Sequence, residues 1–421
     1  MAKHRFVGFG FGPIQSGLFV KEAFESGNFE RIVVAEIDQN LVDAVRANKG
    51  SYYINVAKFD GIETVKVDNI ELFNPNVEAD RKELLKALAE STEIVTSLPS
   101  VKFFDSGANS VACFIAEGIK NDKTGAKIIY TAENNNHAAE ILEEAVAKKV
   151  GGIDTDRVQF LNTVIGKMSQ VVTEAGEIEA MKIEPIATGI GRAFLVEEFN
   201  KILVTRTKLA GFRPGIEVFM EKDDLLPFEE AKLYGHNAIH MLLGYIGAAR
   251  GYKKMSDLRG DKEIMGIGRE AFLNESGRAL VKKYANLGDE LFTDDGYREY
   301  AEDLLLRMTN PWLTDTVERI ARDPIRKLGY NDRIFGTMHV AIEYGIKPVN
   351  MAMGAIAGLA FLLARADENK LPAELRFGDW RKLSGEQIEK LIRWIWKDSA
   401  GKHAAEIIRY VQEAQPRLTI L

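Results

Sequence analysis

The sequence predicts an α/β protein with a doubly wound, mostly parallel sheet in its first half and a mostly α-helical domain in its second. Three observations carry that prediction. Residues 1 to about 150 alternate strand-like and helix-like runs, a glycine-rich turn joins the first strand to the first helix, and from about residue 224 the apolar pattern is helical nearly to the end. A length of 421 residues suits two domains. The turn chemistry of Gly211-Phe212-Arg213-Pro214-Gly215 places the boundary near residue 220, giving 1–220 and 221–421.

The first strand is Arg5-Phe6-Val7-Gly8-Phe9. It runs into Gly10-Phe11-Gly12-Pro13-Ile14-Gln15-Ser16-Gly17, then a helical stretch from Leu18 to Phe24 and a second apolar run, Arg31-Ile32-Val33-Val34-Ala35, that ends at Glu36. Strand, glycine turn, helix, strand and acid is the order of a Rossmann-type dinucleotide-binding unit. Gly10 allows the tight turn, and Gly12 lets the backbone approach a pyrophosphate. Pro13 and Ile14 open a helix whose free N–H groups and positive dipole end face that anion. Glu36 can accept from both ribose hydroxyls and repels a 2′-phosphate, so NAD is expected rather than NADP. The strict pattern places a third glycine at position 15, where this chain has Gln15.

Two later runs end as strands do before a ligand-facing loop: Glu93-Ile94-Val95-Thr96-Ser97-Leu98-Pro99 and Ala126 to Asn134. Ligands sit beyond the carboxyl ends of such strands. Ser97, Leu98, Glu133 and Asn134 are therefore expected to line the nicotinamide side. Residues 150 to about 220 carry short apolar runs, Ile183 to Ala187 and Gly215 to Met220, which read as extended segments finishing the first domain.

The second half opens on Ala231-Lys232-Leu233-Tyr234-Gly235-His236-Asn237-Ala238-Ile239-His240, followed by Met241 to Ile246. The later part is apolar almost all round, which makes a buried helix. An ammonium, an amide and an imidazole at its start must find partners, and a buried lysine loses basicity until it can act as a base near neutral pH. At about 100° per residue, Asn237 lies roughly 140° from Lys232 and His240 roughly 80°, within one broad face. Lys232 reaching back to solvent, with His236 and His240 as hydrogen-bonded core residues, is an equal reading of these residues alone. A site in a cleft between the two domains is the expectation. The longest apolar run, Met351 to Ala364, is 14 residues long, too short for a membrane span.

Composition excludes other classes. Hydrophobic content of 46% and charged content of 28% are those of a globular protein, and a net charge of −7 without a basic block argues against nucleic acid. The single cysteine, Cys113, leaves no intramolecular disulfide and fits a reducing compartment. The absence of a signal-peptide pattern adds to a cytoplasmic expectation, and a monomer is the expected state. His236 and His240 are spaced to grip a metal, but the HExxH pattern is absent and no metal is expected.

Three segments together resemble the polyol-specific long-chain dehydrogenases/reductases. They are Phe9 to Gly17, the Lys-x4-Asn-x2-His signature at Lys232, Asn237 and His240, and Glu318 to Leu328 with Asn331-Asp332-Arg333 and Glu343-Tyr344-Gly345. The third is similar to the family's phosphate-using branch. The resemblance implies a metal-independent, NAD-dependent enzyme that interconverts a polyol and a ketose, mannitol 1-phosphate and fructose 6-phosphate foremost. Free mannitol and fructose, or a hexuronate, are alternatives of the same chemistry. A non-catalytic dinucleotide-binding sensor is the alternative of another class. The resemblance also implies roles: Lys232 as general base or acid, Asn237 and Asn162 as donors to the developing oxyanion, and His240 as a ligand of substrate hydroxyls. Asn162 lies in Phe160-Leu161-Asn162-Thr163, where Gly166-Lys167 replaces the family's Asp-Arg. For a phosphate group, Arg322, Arg326, Lys327 and Arg333 are the candidates, with Asp323 and Asp332 beside them as competing ion-pair partners. The β-hydroxyacid dehydrogenases also carry lysine and asparagine on a helix after such a domain, at a shorter spacing than the one here.

Overall fold

The computed structural model describes residues 3–420. The chain divides into two compact units, Met1–Leu226 and Pro227–Leu421. The first unit carries the strands β1 (His4–Phe9), β2 (Phe29–Ala35), β3 (Tyr52–Ala57), β4 (Ile62–Val67), β5 (Ile70–Phe73), β6 (Glu93–Thr96), β7 (Lys127–Thr131), β8 (Val158–Ile165), β9 (Ser169–Val172), β10 (Ala193–Glu197), β11 (Ile202–Thr205) and β12 (Phe219–Lys222).

Eight of them form one sheet in the order β12-β11-β8-β7-β6-β1-β2-β5. From β8 to β5 every pairing is parallel, while β11 runs antiparallel to β8. The central strands read as continuous apolar runs because both faces are covered: Val33, Val34, Ile94, Val95, Ile128 and Ile129 are all buried. One face packs on Leu84, Leu88, Phe114, Ile115 and Leu142, from the helices Glu78–Glu90, Val111–Lys120 and Ala138–Val150. The other packs on Leu18, Phe19, Val42, Tyr52, Ile54 and Phe194. The chain leaves β1 toward β2 on one side and later returns to β6 on the other. The crevice at that switch is where such sheets bind ligands.

A second sheet, β4-β3-β10-β9, corrects the expectation for residues 150–220. β10 pairs in parallel with β3 across a long stretch of sequence, which no local pattern announces. Ile183–Ala187 is not a strand. Ile186 and Ala187 instead plug the core as irregular chain.

The second unit is helical. Ala238–Ala249 is buried from Ala238 to Gly247, and Val349–Ala364 from Met351 to Leu362. Close packing of these two helices needs glycine: a Cβ on Gly354 would lie 3.0 Å from Leu242, and one on Gly358 3.0 Å from Tyr245. Carboxylate and hydroxyl caps fix helix starts, as at Asp261, Thr293 and the Ser384–Gln387 capping box. Among the described residues no helix is long and apolar enough to cross a membrane.

Candidate active site

In the first unit, a cavity of about 880 Å³ opens at the switch point between β1 and β6. Its walls include Gly10 to Ile14, Glu36, Ile37, Ser97 and Leu98. Gly10 has φ +83°, and a Cβ there would lie 2.8 Å from the Ser97 carbonyl, so both backbone conformation and space require glycine. A Cβ on Gly12 would meet nothing within 4 Å, which leaves its side of the turn open. Helical backbone begins at Pro13, a favoured first position because proline has no N–H to leave unpaired.

Glu36 is held by the backbone: one oxygen accepts from Phe11 N at 2.9 Å, the other from Asp38 N at 2.8 Å. Its remaining lone pairs are available to a ribose diol. The open glycine turn, the helix start and this anchored acid fit a dinucleotide.

Gln15 is where the first helix departs from regularity. Gln15–Val20 is a π-helical turn, one residue wider than an α turn. The Ser16 carbonyl accepts from Tyr52 Oη at 2.7 Å, tying the turn to β3. Gln15 itself is fully buried, and neither amide atom has a partner. The amide nitrogen lies directly over Gly8, where a Cβ would come within 1.9 Å of it.

Two expected wall residues stand elsewhere. Glu133 is buried behind the wall, accepting from Thr96 Oγ1 at 2.9 Å and from Leu98 N at 2.8 Å. Burial raises its pKa, and those hydrogen bonds oppose the rise. It shapes the Ser97–Leu98 turn rather than lining the cavity. Asn134 is exposed and outside the cavity walls, because the chain turns outward after β7. Asn162 sits on β8 opposite Thr131. Its oxygen accepts from Ala139 N at 2.9 Å and its nitrogen donates to Glu140 at 2.8 Å, which fixes the amide and leaves one N–H unassigned. Lys167 is buried and donates to the Glu197 and Phe199 carbonyls, a structural tie.

The Lys232 segment lies wholly in the second unit. Ala231–Asn237 is a second π-helical turn, running into the helix Ala238–Ala249. This changes the geometry expected from an α-helix. With i→i+5 bonding, residues five apart fall within roughly 50° of each other, so Lys232 and Asn237 share one face. Tertiary contacts hold the wide turn: Tyr300 Oη donates to the Ala231 carbonyl at 3.3 Å and Thr337 Oγ1 to the Tyr234 carbonyl at 3.0 Å. Gly235 is required at the contact, since a Cβ would lie 2.7 Å from Tyr297 Oη.

The three signature side chains form no hydrogen bond among the described residues. Lys232 and Asn237 are partly buried, and neither side chain forms a hydrogen bond among the described residues. His240 Nε2 is buried without a hydrogen bond, 3.6 Å from Asp315 Oδ2. Buried polar atoms left unpaired call for an explanation, and a bound ligand is one.

Charge sets their protonation. Burial, then the Arg333 guanidinium, lowers the Lys232 pKa to about 8. Burial lowers His240 to about 4 despite Asp315, and drives His236 well below its ordinary value. Both imidazoles are therefore neutral near pH 7, and Lys232 is mainly the ammonium with a minor share of neutral amine that grows toward pH 8.

The basic candidates separate. Lys327 is buried, donates to the Ile320 carbonyl at 2.8 Å, and is lowered to about 8 by burial and then by Arg333. Arg333, with a side chain 12% exposed, pairs with Asp332 at 2.5 Å. Both lie close enough to lower His240. Arg322 and Arg326 are exposed, and Arg326 is taken by Asp323 at 2.5 Å. Sequence reasoning missed Asp315, which is buried, holds Arg319 through two bonds of 2.6 and 2.7 Å and faces His240. The Asp315-x3-Arg319 spacing across a helix start was its only signal.

Residues 224–392 match the family described as the mannitol dehydrogenase C-terminal domain. A mannitol-1-phosphate 5-dehydrogenase of Pseudarthrobacter chlorophenolicus is 30% identical over 362 residues, covering 84% of this chain and 85% of that one. The Buchnera aphidicola enzyme of the same name is 28% identical with the same coverage. Among solved structures, a D-sorbitol dehydrogenase in substrate-free form superposes with a TM-score of 0.77 at 17% identity, covering 99% of this chain and 93% of that one. The Pseudomonas fluorescens mannitol 2-dehydrogenase, solved with NAD and D-mannitol, gives 0.67 at 14% identity, covering 99% and 92%. At these identities the two structures speak to the fold.

Proposed function

The chain belongs to the mannitol dehydrogenase family and is an NAD-dependent oxidoreductase of polyols; from that premise we propose that it interconverts mannitol 1-phosphate and fructose 6-phosphate. The observation that carries the catalytic part is the trio Lys232, Asn237 and His240, without side-chain hydrogen bonds along one π-helical turn and the helix it runs into, with the Lys232 pKa lowered to about 8.

When bound, NAD accepts or supplies a hydride at C4 of its nicotinamide. In the oxidative direction the carbinol O–H proton passes to neutral Lys232 while the hydrogen on carbon leaves as hydride, producing a ketone and an ammonium. In reduction the Lys232 ammonium returns that proton to the carbonyl oxygen. A pKa near the working pH lets one residue serve both ways. Asn237 donates to the oxygen as negative charge develops on it, and we assign Asn162 as a further donor. Such donors are each worth about 3 kcal/mol in the transition state. Neutral His240 hydrogen-bonds a substrate hydroxyl, with Asp315 behind it. Of the four basic candidates, Lys327 and Arg333 are the best for the phosphate, because they are the ones withdrawn from solvent and both act on His240.

The test is the rate of NADH oxidation by the purified protein with fructose 6-phosphate, run beside fructose. Turnover with the phosphate ester alone supports the substrate. Turnover with fructose alone overturns the phosphate assignment. Turnover with neither overturns the substrate while leaving family and cofactor intact, and directs attention to hexuronates.

A further inference from the structure

Beside the ribose-binding acid lies an ion pair that the reaction does not use. Asp38 follows Glu36 by two residues and is joined to it, its N–H donating to Glu36 Oε1 at 2.8 Å. One oxygen of Asp38 caps the helix Gln39–Ala47, accepting from Asn40 N at 3.1 Å and Leu41 N at 3.4 Å. The other accepts from Arg192 Nη2 at 2.6 Å. Arg192 comes from distant sequence, in the irregular segment before β10, and its side chain is 36% exposed. The Arg192 hydrogen bond is the largest influence holding the Asp38 carboxyl below its usual range, so the pair is ionic near pH 7.

A 2′-phosphorylated dinucleotide is recognised by an arginine near the ribose. Here a guanidinium is held and neutralised by Asp38, whose own N–H is bonded to the anchored Glu36. We propose that Asp38 sets cofactor choice by sequestering Arg192: Glu36 repels a 2′-phosphate, and Asp38 occupies a neighbouring cation that would otherwise bind it. The second sheet thus supplies a phosphate ligand, and the start of the helix after β2 withholds it. The inference goes beyond the cofactor preference carried by Glu36, because it assigns discrimination to a residue pair outside the cavity wall.

The test measures cofactor binding directly, by titrating NADH and NADPH against protein fluorescence, and needs no substrate. It is therefore independent of the sugar. Asp38→Ser keeps a good helix cap while removing the carboxylate. The wild type is expected to bind NADH at least tenfold more tightly than NADPH. Asp38→Ser is expected to improve the NADPH-to-NADH affinity ratio at least tenfold, and Asp38→Ser with Arg192→Met to lose most of that gain. Three results overturn the proposal: equal affinities in the wild type, an unchanged ratio in Asp38→Ser, or a gain that survives loss of Arg192. The last would mean that Asp38 acts only through its own charge. Binding of NADH by all variants reports that they are folded.

Discussion

Replacing Lys232 by methionine should stabilise the second unit at neutral pH while abolishing turnover. The magnitude follows from the lowering of Lys232 from 10.5 to about 8. A shift of about 2.5 units corresponds to about 3.4 kcal/mol, and partial exposure reduces this to about 1–3 kcal/mol. The sign follows from the direction of the shift. Below pH 8 the lysine is protonated in both states, and the folded protein bears the full cost of the desolvated ammonium. Between about 8 and 10.5 the unfolded chain keeps a proton that the folded one has released, so wild-type stability rises with pH. Above 10.5 the cost is gone. Methionine has similar volume and no charge. The assay is urea unfolding followed by tryptophan fluorescence at pH 6 to 10. All four tryptophans, Trp312, Trp380, Trp394 and Trp396, lie in the second unit and report on it alone. The variant should be the more stable at pH 7, with its advantage shrinking toward pH 10. A variant less stable than wild type at pH 7, or an advantage independent of pH, would refute the reasoning.

Three further outcomes are expected. Arg333→Met removes a charge that lowers Lys232, so the acidic limb of the pH profile for polyol oxidation should move to higher pH; a limb that stays put excludes Arg333 from tuning the base. Gln15→Met removes two unpaired buried polar atoms and should stabilise the protein by about 1–3 kcal/mol; calorimetry showing a loss would mean that something satisfies this amide. Gly12→Ala places a methyl where nothing of the protein stands within 4 Å, so the melting temperature should hold while NADH affinity falls at least tenfold; unchanged affinity would remove Gly12 from the cofactor turn.

Much of the first unit was legible because its signals are local. The run from Arg5 to Glu36 encodes strand, turn, helix and strand by hydrophobic period and glycine, and the structure places Gly10, Gly12 and Glu36 around one cavity. The second sheet was not legible, because β3 and β10 pair across more than a hundred residues. Glu133 was misplaced for a related reason: position along a strand indicates which end a residue occupies, not whether its side chain faces a ligand or a neighbouring turn. In the second unit the lysine signature and the buried helix were readable. The π turn was not, because it is held by hydrogen bonds from Tyr300 and Thr337 and by the close approach of Tyr297 to Gly235, all remote in sequence. An α-helical wheel therefore spread Lys232 and Asn237 apart when they share a face.

That π turn also bears on how this chain can vary. It holds one residue more than the α turn it replaces. Tightening the turn to ordinary helix at the same length would put Lys232 about 140° from Asn237, whereas deleting one residue between them would restore ordinary helix and leave them four apart, about 40° from each other. The buried run from Ala238 to Gly247 would keep its sequence and its neighbours. Lys232 and Asn237 thus owe their shared face to the width of the turn, and a descendant that tightened it without losing a residue would retain a foldable helical domain with its base aimed at the wrong wall.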